Sequence, residues 1–466
     1  MQFGLIGTGV MGRNLALNIL DHGYSVAAWN LERDLLDLAV DESAGRLAPM
    51  GSLKALVAGL SKPRRILIMI KAGKPVDSVL DSLGSLLDEG DIVIDGGNSL
   101  FRDTERRQRG WEAKGIHFVG MGVSGGEDGA RYGPSLMPGG SAYAYSELEP
   151  VLKAVAATSD SGACVTHVGS GGSGHFVKMV HNGIEYADMQ GIAEAYHVLG
   201  TVGGLDNDAM ASAFNAWNDG ALESFLIEIT AAILTRRDDD GHWVDQVLDR
   251  AGQKGTGRWT AELALELGIS IPSIAGAIDA RVLSSAKPLR QQLSRHYAAP
   301  SNVSETGNWL SAVGDALLVS RIAGYAQGMD LIREGSAVYE WSIDLSEIAR
   351  IWKAGCIIRS RFLDTITEAY RRDPALSHLF LDGQVHDALQ RSVQGLRDVV
   401  GVAVASGIPV PVMQSSLAYF DSLRTERLPQ NLTQAQRDAF GAHRFQTLDD
   451  PDGESVHRDW LGDSGS

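Results

Sequence analysis

The sequence predicts an α/β layer followed by an all-α one: a doubly wound parallel sheet, then a large helical domain, then a polar tail. Three observations carry this. Short apolar runs alternate with amphipathic stretches over roughly the first third of the chain. The periodicity turns helical after Gly169-Ser170-Gly171-Gly172-Ser173-Gly174. Two segments of the helical part resemble each other, which points to a tandem repeat.

Residues 3–6, 25–29, 66–70, 92–94 and 116–119 are short, largely apolar runs and read as strands buried on both faces. Residues 13–21 and 76–87 read as helices between them. Residues 1–173 then form the sheet domain and 174–427 the helical one, with long helices expected over 176–199 and 316–333. Trp217-x-x-Gly220 reappears as Trp352-x-x-Gly355, and Tyr186 matches Tyr325, at nearly equal offsets. Chance likeness between two amphipathic helices is the alternative. Residues 428–466 are polar, weakly periodic and acidic near Asp449-Asp450-Pro451-Asp452, and read as a tail that needs a partner surface to become ordered.

Composition narrows the function. Of 466 residues, 54 are glycine, well above the ordinary share of about 7%. The net charge of −17 argues against nucleic acid and anionic membranes as partners, since both need a positive footprint. It leaves an anionic small molecule open. No apolar run approaches the roughly 20 residues that span a bilayer. Met1-Gln2-Phe3-Gly4 has no basic leader character. Cys164 and Cys356 alone make neither a disulfide framework nor a zinc site. A reducing cytoplasm and no metal are expected.

Gly7-Thr8-Gly9-Val10-Met11-Gly12 is a full G-x-G-x-x-G between a strand and a helix. That context makes a pyrophosphate cradle rather than a plain turn. The glycines let the backbone approach the phosphates at a helix N-terminus, so the domain reads as Rossmann-like and dinucleotide-binding. The second strand ends at Asn30. NAD sites usually place a carboxylate near here, so neutral Asn30 leans towards NADP. Leu31 offers nothing, and Glu32 would oppose a 2′-phosphate. Arg33 either binds one or is a solvated helix-start charge. Ile70, Lys71 and Ala72, at the end of the strand expected over 66–70, join the cofactor set with Asn98.

Asp95-Gly96-Gly97-Asn98-Ser99 and Val123-Ser124-Gly125-Gly126-Glu127 follow strand ends and offer N–H groups to an anion or polyol. Lys178, His181, Asn182 and Glu185 fall at i, i+3, i+4 and i+7, one stripe of a helix. A solvated Lys–Glu face is the alternative. The glycine-rich hinge just before it favours a cleft, where the amine and carboxylate serve as base and acid. In the repeat these two correspond to Leu317 and Gly324, so only the first copy carries the pair. Lys254, Thr256, Arg281, Arg437 and His443 follow in polar loops and helices, each a structural or surface group on spacing alone.

At these residues the chain resembles the 6-phosphogluconate dehydrogenases, the decarboxylating enzymes of the pentose phosphate pathway. Segments 123–140, 178–186, 224–230, 252–260 and 434–443 carry the resemblance. It implies oxidation and decarboxylation of 6-phospho-D-gluconate to D-ribulose 5-phosphate, with hydride transfer to NADP and no metal. Lys178 is then similar to the family's general base at the C3 hydroxyl, and Glu185 to the acid that protonates C1 of the enediol left by decarboxylation. The resemblance places Asn98, Ser124, Gly125, Gly126, His181 and Asn182 on the substrate's carboxylate and hydroxyls. It places Tyr186, Lys254, Thr256, Arg281 and Arg437 around its phosphate, with His443 also on the substrate. The family's tail reaches the neighbouring subunit's site, which implies a homodimer with tail exchange.

The chain departs from the family in two places. Asn30-Leu31-Glu32 stands where Asn-Arg-Thr or Asn-Arg-Ser is common, which leaves NAD open as cofactor. Leu100 and Phe101 replace polar neighbours of Asn98, which points to altered substrate fit and leaves a related 3-hydroxyacid dehydrogenase on another hexonate as an alternative. Retention of both Lys178 and Glu185 argues against a nucleotide sensor that has lost its chemistry.

Overall fold

The computed structural model describes residues 1–253, 255–298, 300 and 307–462. It divides into two compact units, Met1–Ser416 and Leu417–Ser466.

The first unit opens with seven strands in one sheet: β1 (Phe3–Ile6), β2 (Val26–Trp29), β3 (Ala48–Pro49), β4 (Arg65–Ile68), β5 (Ile92–Asp95), β6 (His117–Ser124) and β7 (Ser135–Pro138). Their order is β3-β2-β1-β4-β5-β6-β7, parallel except for the β6–β7 pair. The connection reverses between β1 and β4, the point at which such sheets open a crevice. Helices α1 (Val10–Asp21), α2 (Arg33–Glu42), α3 (Leu53–Ala58), α4 (Lys74–Leu83), α5 (Phe101–Glu112) and α6 (Gly126–Tyr132) lie between the strands in sequence, and α7 (Ala142–Val155) follows β7.

The period-2 alternation of the strands builds two cores. Phe3, Leu5, Leu67 and Ile94 pack with Leu15 and Ile19 of α1. Ile6, Ile66, Ile68 and Val93 pack with Leu80 of α4 and Trp111 of α5. Every expected strand is present, but the one expected over 66–70 ends at Ile68, leaving Ile70 and Lys71 in the following loop. Sequence pattern missed β7, whose Ser135 and Pro138 interrupt an apolar run although all four residues are buried.

Beyond the hinge, α8 (Ser173–Thr201) leads to α9 (Asn207–Asn218) and α10 (Phe225–Thr235). After α11 (Trp243–Gln246), α12 (Thr256–Leu267), α13 (Pro272–Ser285) and α14 (Lys287–His296), the pattern restarts. A second long helix, α15 (Trp309–Val338), is again followed by two short ones, α16 (Leu345–Ile351) and α17 (Phe362–Arg372), then α18 (Gly383–Ala405) and α19 (Pro411–Leu423). This is the expected tandem repeat. The copies meet reciprocally: Ser224 bridges Ser360, Phe225 N donates to Arg359 O and Arg361 N donates to Glu223 O. No helix among the described residues is long and apolar enough to cross a membrane.

Glycines set how closely α8 approaches its neighbours. A Cβ on Gly122 of β6 would lie 2.5 Å from that of Lys178, and one on Gly174 would lie 2.2 Å from Met137 O. On α15, Gly328 and Gly335 leave room for Ile184 and Phe176. Part of the glycine excess therefore belongs to close backbone packing around α8.

The second unit contains α20 (Gln430–Gly441). Its order comes from one buried carboxylate rather than an apolar stripe. Asp438 accepts bonds from Arg444 N, His457 Nδ1, Arg458 N and Trp460 Nε1, at 2.7–3.1 Å. Burial alone would push its carboxyl up, but these bonds outweigh it and hold it far below the usual range. These bonds tie α20 to residues 444–460 of the same unit.

Candidate active site

A cleft of about 960 Å³ lies at the carboxyl ends of β1, β2 and β4. Gly7, Gly9, Val10, Met11 and Gly12 form one wall, with Asn30, Leu31, Glu32, Ile70, Lys71 and Asn98 around it. The glycines are needed. Gly7 has φ +98°, and a Cβ there would meet Met69 O at 2.4 Å. One on Gly12 would meet Gly7 O at 2.0 Å, whereas Gly9 faces open space at the start of α1. This is a cradle shaped for a pyrophosphate, so the residues present fit a dinucleotide.

Three residues expected here lie outside the lining. Thr8 is fully buried, and its N–H donates to Asn30 Oδ1 at 3.0 Å, bracing the loop from behind. Arg33 is turned along α2 to Asp37, at 2.9 Å. Ala72 is not among the lining residues.

The loop that presents Asn98 stands on a buried ion pair that sequence reasoning missed. Asp95 ends β5 fully buried. It accepts from Ser99 Oγ at 2.6 Å and from Gly97 N at 3.1 Å. Arg107 of α5 donates to it at 3.3 Å and reaches Asp77 at 2.9 Å. No spacing rule links these positions. The one available signal was an aspartate ending a buried strand, which calls for a cation.

Val123 of β6 lines the cleft, and the next residue, Ser124, ends that strand. There α8 delivers the expected stripe. Lys178 is buried, with Nζ 3.1 Å from Ser124 Oγ and 3.4 Å from His181 Nδ1. His181 Nε2 lies 3.2 Å from the same hydroxyl, and its Nδ1 lies 3.8 Å from Glu185 Oε2. Asn182 donates to Thr256 Oγ1 of α12 at 3.2 Å. Gly125, with φ +113°, caps α6 beneath Gly355, and Gly126 follows it with open space at its Cα. Lys178, His181 and Asn182 are therefore buried, with Glu185 half-buried beside them, and the stripe is not a solvated face.

Burial lowers the Lys178 pKa, although the Glu185 carboxylate partly restores it. Burial raises Glu185, against the pull of Lys178 and Arg281. Burial, and then the Lys178 charge, push His181 well below its ordinary value and leave it neutral. These shifts bring an amine and a carboxyl closer in proton affinity, as a base and an acid require.

Beside Glu185 in sequence, Tyr186 lies under the guanidinium of Arg281 of α13, 3.5 Å from its ring centre. A Cβ on Gly257 would meet that ring at 2.8 Å, so glycine lets α12 come this close. Tyr186, Thr256 and Arg281 thus gather beside the stripe. Lys254 lies outside the described residues. Arg437 and His443 belong to the second unit, where Arg437 bonds Gln434 and His443 meets the Phe440 ring edge-on. Phe101 corrects an expectation: it is 1% exposed and packs against Phe176, Tyr339 and Trp341, so it belongs to the hinge core rather than to a substrate wall. Among the described residues no group of three or more His, Cys, Asp or Glu could hold a metal ion.

A dinucleotide cradle joined through β6 to a buried amine and imidazole, with a half-buried carboxyl beside them, defines a nicotinamide-dependent dehydrogenase. The family model for the NAD binding domain of 6-phosphogluconate dehydrogenase matches residues 2–169, and that for its C-terminal domain matches residues 174–460. The chain belongs to the 6-phosphogluconate dehydrogenase family. It is 52% identical to the decarboxylating 6-phosphogluconate dehydrogenase of Synechococcus elongatus, over 99% of each chain. It is 46% identical to that of Escherichia coli, again over 99% of each. The Plasmodium falciparum 6-phosphogluconate dehydrogenase, solved in apo form and in complexes with its cofactor NADP+ and its substrate 6-phosphogluconate, superposes with a TM-score of 0.95 at 40% identity. It covers 99% of this chain and 100% of that one.

Proposed function

We propose that this chain catalyses oxidative decarboxylation of 6-phospho-D-gluconate to D-ribulose 5-phosphate and CO2, with NADP+ as hydride acceptor. The carrying observation is Lys178, buried within 3.1 Å of Ser124 Oγ on the same helix stripe as Glu185. A nicotinamide cofactor held by the cleft of Gly7, Gly9, Gly12, Asn30 and Asn98 would supply the acceptor for the hydride on C3. Neutral Lys178 removes the C3 hydroxyl proton. The β-keto acid so formed holds a ketone that accepts the electron pair as CO2 leaves. Protonated Lys178 stabilises the enolate oxygen, and Glu185 delivers a proton to the carbon that CO2 has left, C1 of the resulting enediol. Ser124, His181 and Asn182, with the Asn98 and Gly125-Gly126 loops, hold the carboxylate and hydroxyls. Tyr186, Lys254, Thr256 and Arg281 hold the phosphate end.

The steady-state test compares 6-phosphogluconate with gluconate and measures NADPH and CO2 together. Equal amounts of the two products, and a strong preference for the phosphorylated acid, are expected. Equal efficiency on both acids contradicts the phosphate site.

We read the protein as a homodimer whose tail carries Arg437 and His443 to the partner's site. Exposed Trp243, Val247, Leu248, Val282, Leu283 and Leu289 on and near α11, α13 and α14 support an apolar interface. We also read the sheet domain as ending at residue 173, which the separate matches to 2–169 and 174–460 support, and the setting as cytoplasmic.

A further inference from the structure

The loop after β2 is built differently from a site that depends on a 2′-phosphate. A dinucleotide across such a sheet brings its adenosine ribose to the end of the second strand. A carboxylate there suits a free 2′-hydroxyl, and a guanidinium suits a 2′-phosphate. Asn30 is engaged at both polar atoms: its Oδ1 accepts from Thr8 N, and its Nδ2 donates to Glu32 O at 2.8 Å. Leu31 lines the cleft and is 85% exposed. Glu32 lines it too, with an exposed carboxylate. Arg33 lies outside the lining, and its guanidinium is held by Asp37 one turn along α2. Lys71 is the one cation among the described lining residues, and Glu32 the one carboxylate. The charged side chains of the lining therefore sum to zero, in a cleft that would have to take a group adding close to two negative charges.

We infer that this chain takes NAD+ as well as NADP+, that the 2′-phosphate adds little to binding, and that Leu31 and Glu32 set this relaxed choice. The inference rests on reading the cleft as the dinucleotide site of the proposed dehydrogenase. Calorimetric titration of the full-length protein tests it without turnover, using NADP+, NAD+, adenosine 2′,5′-bisphosphate and AMP. Within each pair, dissociation constants within about tenfold are expected. A larger ratio in either direction overturns the inference, while leaving the decarboxylase reading intact. In L31R, an arginine enters the cleft wall beside Glu32. Affinity for adenosine 2′,5′-bisphosphate should rise at least tenfold, with AMP unchanged. Unaltered bisphosphate affinity in L31R overturns the assignment of this loop to the 2′ position. Failure of all four ligands to bind overturns the dinucleotide reading itself, and the inference with it. Binding of both cofactors with no turnover of 6-phosphogluconate contradicts only the proposed substrate.

Discussion

Glu185 stands two turns from Lys178 on α8, and its carboxylate opposes the effect of burial on that amine. Base catalysis needs Lys178 neutral, so the rising limb of kcat/KM against pH reports loss of its proton. The falling limb reports the acid, and because the groups interact, both apparent values belong to the pair. Glu185→Gln removes the charge that favours protonated Lys178. The rising limb should therefore move to lower pH, and kcat should fall by about 10²–10⁴ with loss of the acid. A limb that stays put or moves to higher pH contradicts the coupling.

Arg107 and Asp95 hold the Asn98 loop from below. Removing one partner of a buried pair leaves an uncompensated charge, which costs about 3–5 kcal/mol. Arg107→Leu should lower Tm by several degrees and weaken dinucleotide binding, because Asp95 positions Ser99 and Gly97 beside the cleft. A variant with unchanged Tm and unchanged dinucleotide affinity would show that the loop stands without this pair.

Much of this site was legible in the sequence because its signals are local. The G-x-G-x-x-G turn and the Lys178–Glu185 stripe each lie within one turn or one helix, where spacing fixes which side chains share a face. Arg107–Asp95 and Gly122 under Lys178 join different elements, and no periodicity encodes such contacts. Phe101 misled for a related reason: beside Asn98 in sequence, it faces the opposite way at the start of α5. The polar bonds of Asp438 within the tail were not legible because apolar patterning does not register them.

Glu194, lower on α8, offers a test of burial. It accepts from Val412 N and Met413 N at 2.9 Å, yet burial pushes its carboxyl up to about 7. A carboxyl raised on folding stabilises fully below its unfolded pKa, and that contribution is lost as pH rises through the folded value. Glu194→Gln should therefore gain stability relative to the parent between about pH 4.5 and 8, by on the order of 3 kcal/mol. Chemical denaturation at the two pH values measures the difference. A constant difference contradicts the raised carboxyl.

Tail exchange is tested by mixing subunits. Lys178→Ala and Arg437→Ala homodimers should each be nearly inactive. In a mixed dimer, one site combines an intact Lys178 with an intact tail from the other chain, so co-refolded or co-expressed mixtures should recover activity. No recovery, despite mixed dimers seen by native mass spectrometry, would place Arg437 in its own subunit's site.

The central claim is that Lys178 takes the C3 proton, and single-turnover measurement of Lys178→Ala with 6-phosphogluconate and NADP+ tests it most directly. Hydride transfer should slow by about 10²–10⁴, while NADP+ affinity measured by titration stays within about twofold, because Lys178 is not among the residues lining the cofactor cleft. Hydride transfer at the parent's rate in that variant would contradict the account.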